Sequence, residues 1–186
     1  MDKLIKLLSD YQPINEQEEK DKELLMLACK IFDDVLTRKN EFMHFTASCF
    51  TINKEHNKVL CAYHNIYDTW GWCGGHADGD ADLLAVALRE CNEETGATAL
   101  KVLNDGKPIS IENLPVEAHY KNGKYVSSHL HLNVTYLFET DESLPIHNAP
   151  LENKAVCWMP FEKLISCARE PVMKRIYKKI ADQIDK

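Results

Sequence analysis

The stretch from Gly74 to Ala97 constrains the fold more than any other part of the chain, because it predicts a glycine-rich loop, one amphipathic helix and a glycine stop. Within that helix, Glu90, Glu93 and Glu94 stand at i, i+3 and i+4, so their carboxylates project from one helical face. Like charges at this spacing cost a helix roughly 0.2–0.5 kcal/mol per pair, and a hard divalent cation among them makes the arrangement favourable. We therefore predict a metal site at these three glutamates, with a solvated acidic helix end as the alternative.

The rest of this helix has the features of an element fixed to a core. Its opposite face carries the apolar residues Leu84, Ala87, Leu88 and Cys91. Asp80 or Asp82 is expected to cap the start of the helix, and Gly96 to end it in the left-handed conformation. Arg89 lies among the acids, where a fixed cation orients a carboxylate.

Bulk properties bound the class of protein. A formal net charge of -7 over 186 residues argues against nucleic acid as a partner, and an anionic substrate must be met by metal or by local Lys and Arg. No apolar run approaches the ~20 residues that span a bilayer, and the first residues are too acidic for a signal peptide. Seven cysteines without a CxxC motif fit reduced thiols, so we expect a cytoplasmic protein without a membrane partner.

Residues 1–43 are predicted to form an N-terminal helical extension, followed by a domain over residues 44–186. Pro13 breaks a short first helix, and Asn15 with Glu18 resembles a capping box that opens a longer helix reaching Val35. Charges from Glu16 to Glu23 are assigned to a solvated face. We expect the extension to pack on the domain, with homodimer formation or cover of the substrate as alternatives.

The middle of the chain has the period of strands. Strands are predicted over residues 44–53, 58–64, 99–103, 111–120 and 155–159. Asn122-Gly123 predicts a tight hairpin turn, and an alternating strand with Leu130, Leu132, Val134, Tyr136 and Phe138 on one face follows it. Helices are predicted over residues 160–164 and 171–184. The strand-rich middle with flanking helices predicts an α/β protein in which helices enclose a mixed sheet.

The other face of the alternating strand is polar, with His129 and His131 followed by Asn133 and Thr135. Two histidines without further ligands at matching spacing fall short of a zinc site. We therefore predict that His129 and His131 bind substrate as part of a polar cleft wall. His64 and His76 are expected to flank the same cleft in hydrogen-bonded or solvated roles.

The spacing in the glutamate helix resembles the Nudix box, G-x5-E-x7-R-E-U-x-E-E-x-G-U, in which U is an aliphatic residue. The matching positions are Gly75, Arg89, Glu90, Glu93, Glu94 and Gly96. Ala81 replaces the first glutamate, and Cys91 and Ala97 are small residues at aliphatic sites. In the family that first glutamate mainly braces the arginine and the loop, so we expect its loss to affect loop rigidity more than chemistry. Asp80 or Asp82 is expected to take over the bracing.

The resemblance implies a Nudix α/β/α sandwich from about residue 44 onward, and hydrolysis of the diphosphate bond in a nucleoside diphosphate linked to another moiety. It also implies that Glu90 and Glu94 are the principal metal ligands, with Glu93 as ligand or base. The backbone of Gly74 and Gly75 shapes the substrate-binding loop. Mg²⁺ or Mn²⁺ is the implied cofactor, since the ligands are all oxygen.

Many members of the family use a further catalytic glutamate, on a loop before a late Trp-containing strand. Glu152, ahead of Trp158, is the candidate here, and a plain surface glutamate is the alternative. Two other classes of function stay open. The first is an isomerase, since isopentenyl diphosphate isomerases share the fold and place a reactive cysteine near the position of Cys73. The second is a non-catalytic Nudix domain that serves as a ligand sensor.

Overall fold

The computed structural model describes residues 1–121 and 123–184. Its strands are β1 (Met43–Ile52), β2 (Lys58–His64), β3 (Thr69–Gly71), β4 (Cys73–His76), β5 (Lys101–Val102), β6 (Ser110–Val116), β7 (His119–Lys121), β8 (Lys124–Val126), β9 (His129–Glu139) and β10 (Asn153–Pro160). Its helices are α1 (Asp2–Asp10), α2 (Glu16–Ile31), α3 (Leu83–Thr95), α4 (Phe161–Cys167) and α5 (Pro171–Ile184). A single turn of 3-10 helix covers Asn104–Gly106.

The centre of the molecule is a curled mixed sheet of eight strands, with the order β10-β2-β1-β9-β5 and with β3, β4 and β6 paired to β2, β1 and β9. Strands β1 and β9 are parallel neighbours from Met43 opposite Leu130 to Ile52 opposite Glu139. A parallel pair needs a long crossover, and the chain between them contains α3 and several strands. The register places the starts of β1 and β9 side by side, with His44 opposite His131.

Helices cover both faces of this sheet, as the sequence predicted. One apolar layer joins Phe45 and Leu132 to α1, α2 and α3, and a second joins Phe50 to α4 and α5. Helix α3 turns Leu83 and Val86 into the first layer, whereas Leu84 and Leu88 are only partly buried. The predicted burial is thus confirmed for Ala87 and Cys91 and is wrong for Leu84 and Leu88, since Leu83 and Val86 face the core in their place.

The N-terminal helices differ from the prediction at the end of α2. The helix ends at Ile31, and Phe32 already has extended backbone angles. Val35 is buried, but it is not helical, because its carbonyl accepts a hydrogen bond from Phe45 N of β1 at 2.7 Å. The predicted cap is present, since Asn15 Oδ1 accepts from Glu18 N at 3.0 Å.

Glu18 corrects the prediction that the charged face of α2 is solvated. Its side chain is fully buried, and it accepts hydrogen bonds from Tyr11 OH at 2.7 Å and from Ile14 N at 3.0 Å. Lys179 of α5 pairs with Glu18 at 2.7 Å and with Glu112 of β6 at 3.3 Å. The two helices at the N-terminus are therefore tied to the sheet and to α5 by a buried ion cluster.

The predicted hairpin turn lies partly outside the described residues, because Asn122 is not among them. On either side of it, Lys121 of β7 pairs with Lys124 of β8, and Gly123 has a φ of 75°. Throughout the described ranges, every helix is too short or too polar to cross a lipid bilayer.

Candidate active site

Gly74 and Gly75 lie directly against two carboxylates of α3. The prediction of a glycine-rich loop is wrong for these two residues, because they belong to β4 and pair with Ser48 and Ala47 of β1. Gly74 N donates a hydrogen bond to Glu94 Oε1 at 3.3 Å. A Cβ atom on Gly75 would overlap the Glu90 carboxylate, and a Cβ atom on Gly74 would lie 2.6 Å from the Ala47 carbonyl oxygen. Only glycine fits at these two positions, because a side chain on Gly74 would overlap β1 and a side chain on Gly75 would overlap Glu90. The backbone of this segment therefore lies close to the acidic face of α3.

The start of α3 is held by two aspartates. Asp82 caps the helix by accepting from Ala85 N at 3.2 Å, and it pairs with Lys3 at 2.6 Å. Asp80 accepts a hydrogen bond from Asp82 N at 2.8 Å. The two aspartates thus fix the start of α3.

Arg89 is not braced by either aspartate. It pairs with Glu90, at 3.2 Å between Arg89 Nη2 and Glu90 Oε1. The prediction that Asp80 or Asp82 replaces the first box glutamate as the partner of Arg89 is wrong, because both are engaged at the helix start. The arginine instead orients a predicted metal ligand.

Burial and neighbouring carboxylates raise the pKa of two glutamates in this region, Glu94 and Glu90. Burial raises the pKa of Glu94 to about 8 against the opposing hydrogen bond from Gly74, and the charges of Glu152 and Glu90 raise it further. Burial also raises the pKa of Glu90, which Arg89 lowers and which Glu93 and Glu152 raise again. Four acidic side chains thus act on one small region beside a single arginine, which is the charge excess that a divalent cation offsets.

Glu152 is brought to this region by the residue that follows it. Asn153, the first residue of β10, donates from Nδ2 to the backbone carbonyl of Glu94 at 2.9 Å. This buried hydrogen bond fixes the start of β10 at the end of α3, and Glu152 is exposed beside it. The structure therefore places Glu152, the predicted glutamate outside the box, with Glu90, Glu93 and Glu94. No pattern in the sequence had pointed to Asn153.

His129 and His131 lie away from the glutamates. Successive residues of a strand point to opposite faces, so His76 projects from β4 on the side opposite to Gly75 and Glu90. His129 and His131 join His76 on that side. His64 lies elsewhere, with its ring centroid 4.6 Å from that of Tyr67.

Asn133 and Thr135 do not line an open cleft, which corrects part of the predicted polar wall. Asn133 accepts from the hydroxyls of Thr46 and Ser48 at 2.9 and 2.8 Å, and it donates to Glu112 at 2.9 Å. Both Asn133 and Thr135 are buried. The reason is that Glu112 on the neighbouring strand β6 closes over them in a polar network.

Cys73, the residue that an isomerase would use, is buried under the loop. A hydrogen bond with Cys49 lowers the pKa of Cys73. Burial and the nearby charge of Glu94 outweigh that effect, and the pKa of Cys73 reaches about 12. A thiol in this state is protonated at neutral pH and is a poor acid-base group.

A mixed sheet enclosed by helices, with two glycines packed against a carboxylate-rich helix, is the arrangement that the resemblance to the Nudix box implies. A family model described as the NUDIX domain matches residues 43–183. The chain belongs to the Nudix family and is a hydrolase of the pyrophosphatase type.

Solved structures with the same fold include an Ap4A hydrolase from C. elegans in a binary complex, with 20% identity and a TM-score of 0.56 over 76% of this chain and 97% of that one. A NUDIX family hydrolase from Clostridium perfringens has 19% identity and a TM-score of 0.54 over 76% and 97% of the two chains. The E. coli dihydroneopterin triphosphate pyrophosphohydrolase has 12% identity and a TM-score of 0.56 over 75% and 95%. At these identities the likeness shows the fold. A comparison with curated proteins found no match.

Proposed function

We propose that this protein hydrolyses the diphosphate bond of a nucleoside diphosphate linked to a second moiety, at a divalent cation held by Glu90, Glu93 and Glu94. The observation that carries the proposal is the packing of the Gly74-Gly75 backbone against the carboxylates of Glu94 and Glu90. The other face of α3 packs into the hydrophobic core. Packing of the core therefore does not explain why this backbone lies against two acidic groups.

The side chains fit a hard cation. Glu90, Glu93, Glu94 and Glu152 offer carboxylate oxygen, the donor that Mg²⁺ and Mn²⁺ prefer, and Arg89 pairs with only one of them, Glu90. A cation bound there neutralises the negative charge that develops on phosphate oxygens during transfer.

The residues of the chain then divide the remaining work. Gly74 N and Arg89 hold the carboxylates of Glu94 and Glu90 in place by hydrogen bonds. Glu93 is exposed, and it acts either as a ligand of the cation or as the general base that takes the proton of the attacking water. Glu152 is exposed at the same site and is the alternative base.

The substrate class follows the same reasoning. The names of two similar structures, Ap4A hydrolase and dihydroneopterin triphosphate pyrophosphohydrolase, point to soluble compounds that carry several phosphates. We expect a small-molecule substrate of that kind rather than a nucleic acid, since the net charge of the chain is -7.

The test is a panel of nucleotide sugars, ADP-ribose, dinucleoside polyphosphates, NADH and nucleoside triphosphates, each with Mg²⁺ and with Mn²⁺. The reactions are run in ¹⁸O-labelled water, and the products are identified by mass spectrometry. We expect at least one compound to be split at a diphosphate bond, with ¹⁸O on one phosphoryl fragment. Failure of every compound with both metals, or turnover of an allyl diphosphate without ¹⁸O in the product, contradicts the proposal.

A further inference from the structure

Four histidines form a cluster on the face of the sheet opposite to the glutamates. They are His44, His76, His129 and His131. The ring centroid of His44 lies 4.9 Å from that of His129 and 5.1 Å from those of His131 and His76. The strand register produces the cluster, because His44 stands opposite His131 in the parallel pair and His76 stands opposite Thr46 on β1.

Backbone carbonyls fix the proton positions of two of these rings. His44 Nδ1 lies 2.9 Å from the carbonyl oxygen of Asn40, and His129 Nδ1 lies 2.9 Å from that of Ser127. A carbonyl oxygen only accepts, so each Nδ1 carries the hydrogen and each Nε2 has a free lone pair in the neutral ring. Histidines that bind metals are held in this way, with the other ring nitrogen donating to a carbonyl.

Potential ligand atoms of three rings converge. One such atom from each of His44, His129 and His131 lies within 4.8 Å of the others. His129 Nε2 and His131 Nε2 are 3.2 Å apart, and because the hydrogen of the His129 ring is on Nδ1, His131 Nε2 donates to His129 Nε2. A bound metal would replace this hydrogen bond, with the His131 hydrogen moving to Nδ1. Two nitrogens on a tetrahedral zinc ion with bonds of about 2.0–2.1 Å are roughly 3.3 Å apart, so small side-chain rotations suffice. His44 Nε2 is buried and has no hydrogen-bond partner within the described residues.

The ring nitrogens suit a cation rather than an anion. Two backbone carbonyls accept the Nδ1 hydrogens of His44 and His129, so the Nε2 atom of each of these rings offers a lone pair. A lone pair attracts a metal ion and repels a phosphate group.

We propose that His44, His129 and His131 form a second metal site, which binds a divalent transition metal of the zinc class. Imidazole nitrogen suits Zn²⁺, whereas Mg²⁺ prefers the oxygen ligands of the glutamate site. Three protein ligands leave a fourth position for water or for an anionic group of a small molecule. His76 of β4 packs against two of the three ligands, His44 and His131. This inference does not depend on the proposed hydrolase function.

The test is isothermal titration of tag-free, EDTA-treated protein with Zn²⁺ in the presence of excess Mg²⁺, which occupies the glutamate site. We expect one Zn²⁺ per chain, and loss of affinity by about 100-fold or more in His129→Gln and in His131→Gln, since even an outer partner of a metal site is worth about 10–100-fold. Replacement of Zn²⁺ by Co²⁺ should give the intense visible absorption of a four-coordinate ion, and His131→Gln should lose it.

Matched controls separate this site from others. His56→Gln changes a histidine that lies outside the cluster and contacts Glu139, and Glu94→Gln changes the glutamate site. Both should bind Zn²⁺ like the unmodified chain, and circular dichroism checks that each variant is folded. His129 is only partly buried, so His129→Gln is the variant least prone to unfold. Unchanged Zn²⁺ affinity in both cluster variants, or loss of binding in Glu94→Gln, overturns the proposal.

Discussion

At the scale of single residues, the closest approach between loop and helix is that of Gly75 and Glu90. A methyl group at Gly75 would occupy the space of the Glu90 carboxylate, so Gly75→Ala must displace that side chain. We expect kcat to fall about 100-fold, because a misplacement of about 1 Å in an active site costs that much. Thermal unfolding should change little, since the displaced group is a side chain at the surface end of the site.

Gly71→Ala is the matched control for this substitution. Its added methyl group would meet Tyr177 OH at 3.0 Å, away from the glutamates. Steady-state kinetics of the two variants on the best substrate of the panel decides the point. Equal activities in Gly75→Ala and Gly71→Ala would show that the Glu90 position does not matter for turnover.

Cys73 is the residue that separates hydrolysis from isomerisation. Because the thiol is buried and its pKa is about 12, we expect Cys73→Ser to keep kcat/KM within a few-fold on the phosphoanhydride substrate. Stability should fall modestly, since a buried hydroxyl without a strong partner costs about 1–3 kcal/mol. A loss of several orders of magnitude in activity, in a variant that is still folded, would favour the isomerase instead.

The sequence predicts some site residues and misses others for a physical reason. Glu90, Glu93 and Glu94 are found from spacing because one helix places them on one face. The sequence predicts His44 only as the first residue of a strand. Its partnership with His131 depends on the register between strands that are far apart in the chain, and local patterns carry no information about that register.

At the scale of elements, the contact between the N-terminal helices and α5 rests on Lys179. This lysine is the cation shared by the buried carboxylates of Glu18 and Glu112. Lys179→Met would leave both carboxylates buried without it, and breaking a buried pair by removing one partner costs about 3–5 kcal/mol. We expect the free energy of unfolding in urea to fall by that amount.

The control for this prediction is Lys20→Met, which removes an exposed pair with Glu23 on the same helix, α2. It should leave the urea midpoint unchanged, because solvent screens the pair. If Lys179→Met and Lys20→Met unfold at the same urea concentration, the ion cluster does not fix the N-terminal helices.

Elements with a strong local pattern were predicted well. The alternating strand is β9, the closing helix is α5, and Gly96 ends α3 with a φ of 68°. The prediction was wrong where tertiary contacts override the pattern. Val35 continues the apolar period of α2 but lies in a turn that is hydrogen-bonded to β1. Glu18 belongs to a charged run but is buried and paired with Lys179 of α5.

At the scale of the whole molecule, one sheet supports two separate clusters of polar side chains. Strand β4 contributes Gly74 and Gly75 to the glutamate site on one side and His76 to the histidine cluster on the other. The α/β/α fold class follows from the order of predicted strands and helices. The juxtaposition of Glu152 with α3 does not, because it depends on a buried hydrogen bond from Asn153 to Glu94 across the fold.

The central claim is that the carboxylates of α3 form the hydrolytic metal site, and the most direct measurement is kcat/KM of Glu94→Gln with Mg²⁺ or Mn²⁺. Glu19→Gln, an exposed change on α2, is the control. We expect Glu94→Gln to lose at least about 100-fold, since outer partners of metal sites alone are worth about 10–100-fold. The variant should remain folded, because the amide oxygen of Gln can accept the hydrogen bond from Gly74 N in place of the carboxylate. Activity equal to that of Glu19→Gln on the same substrate would contradict the account.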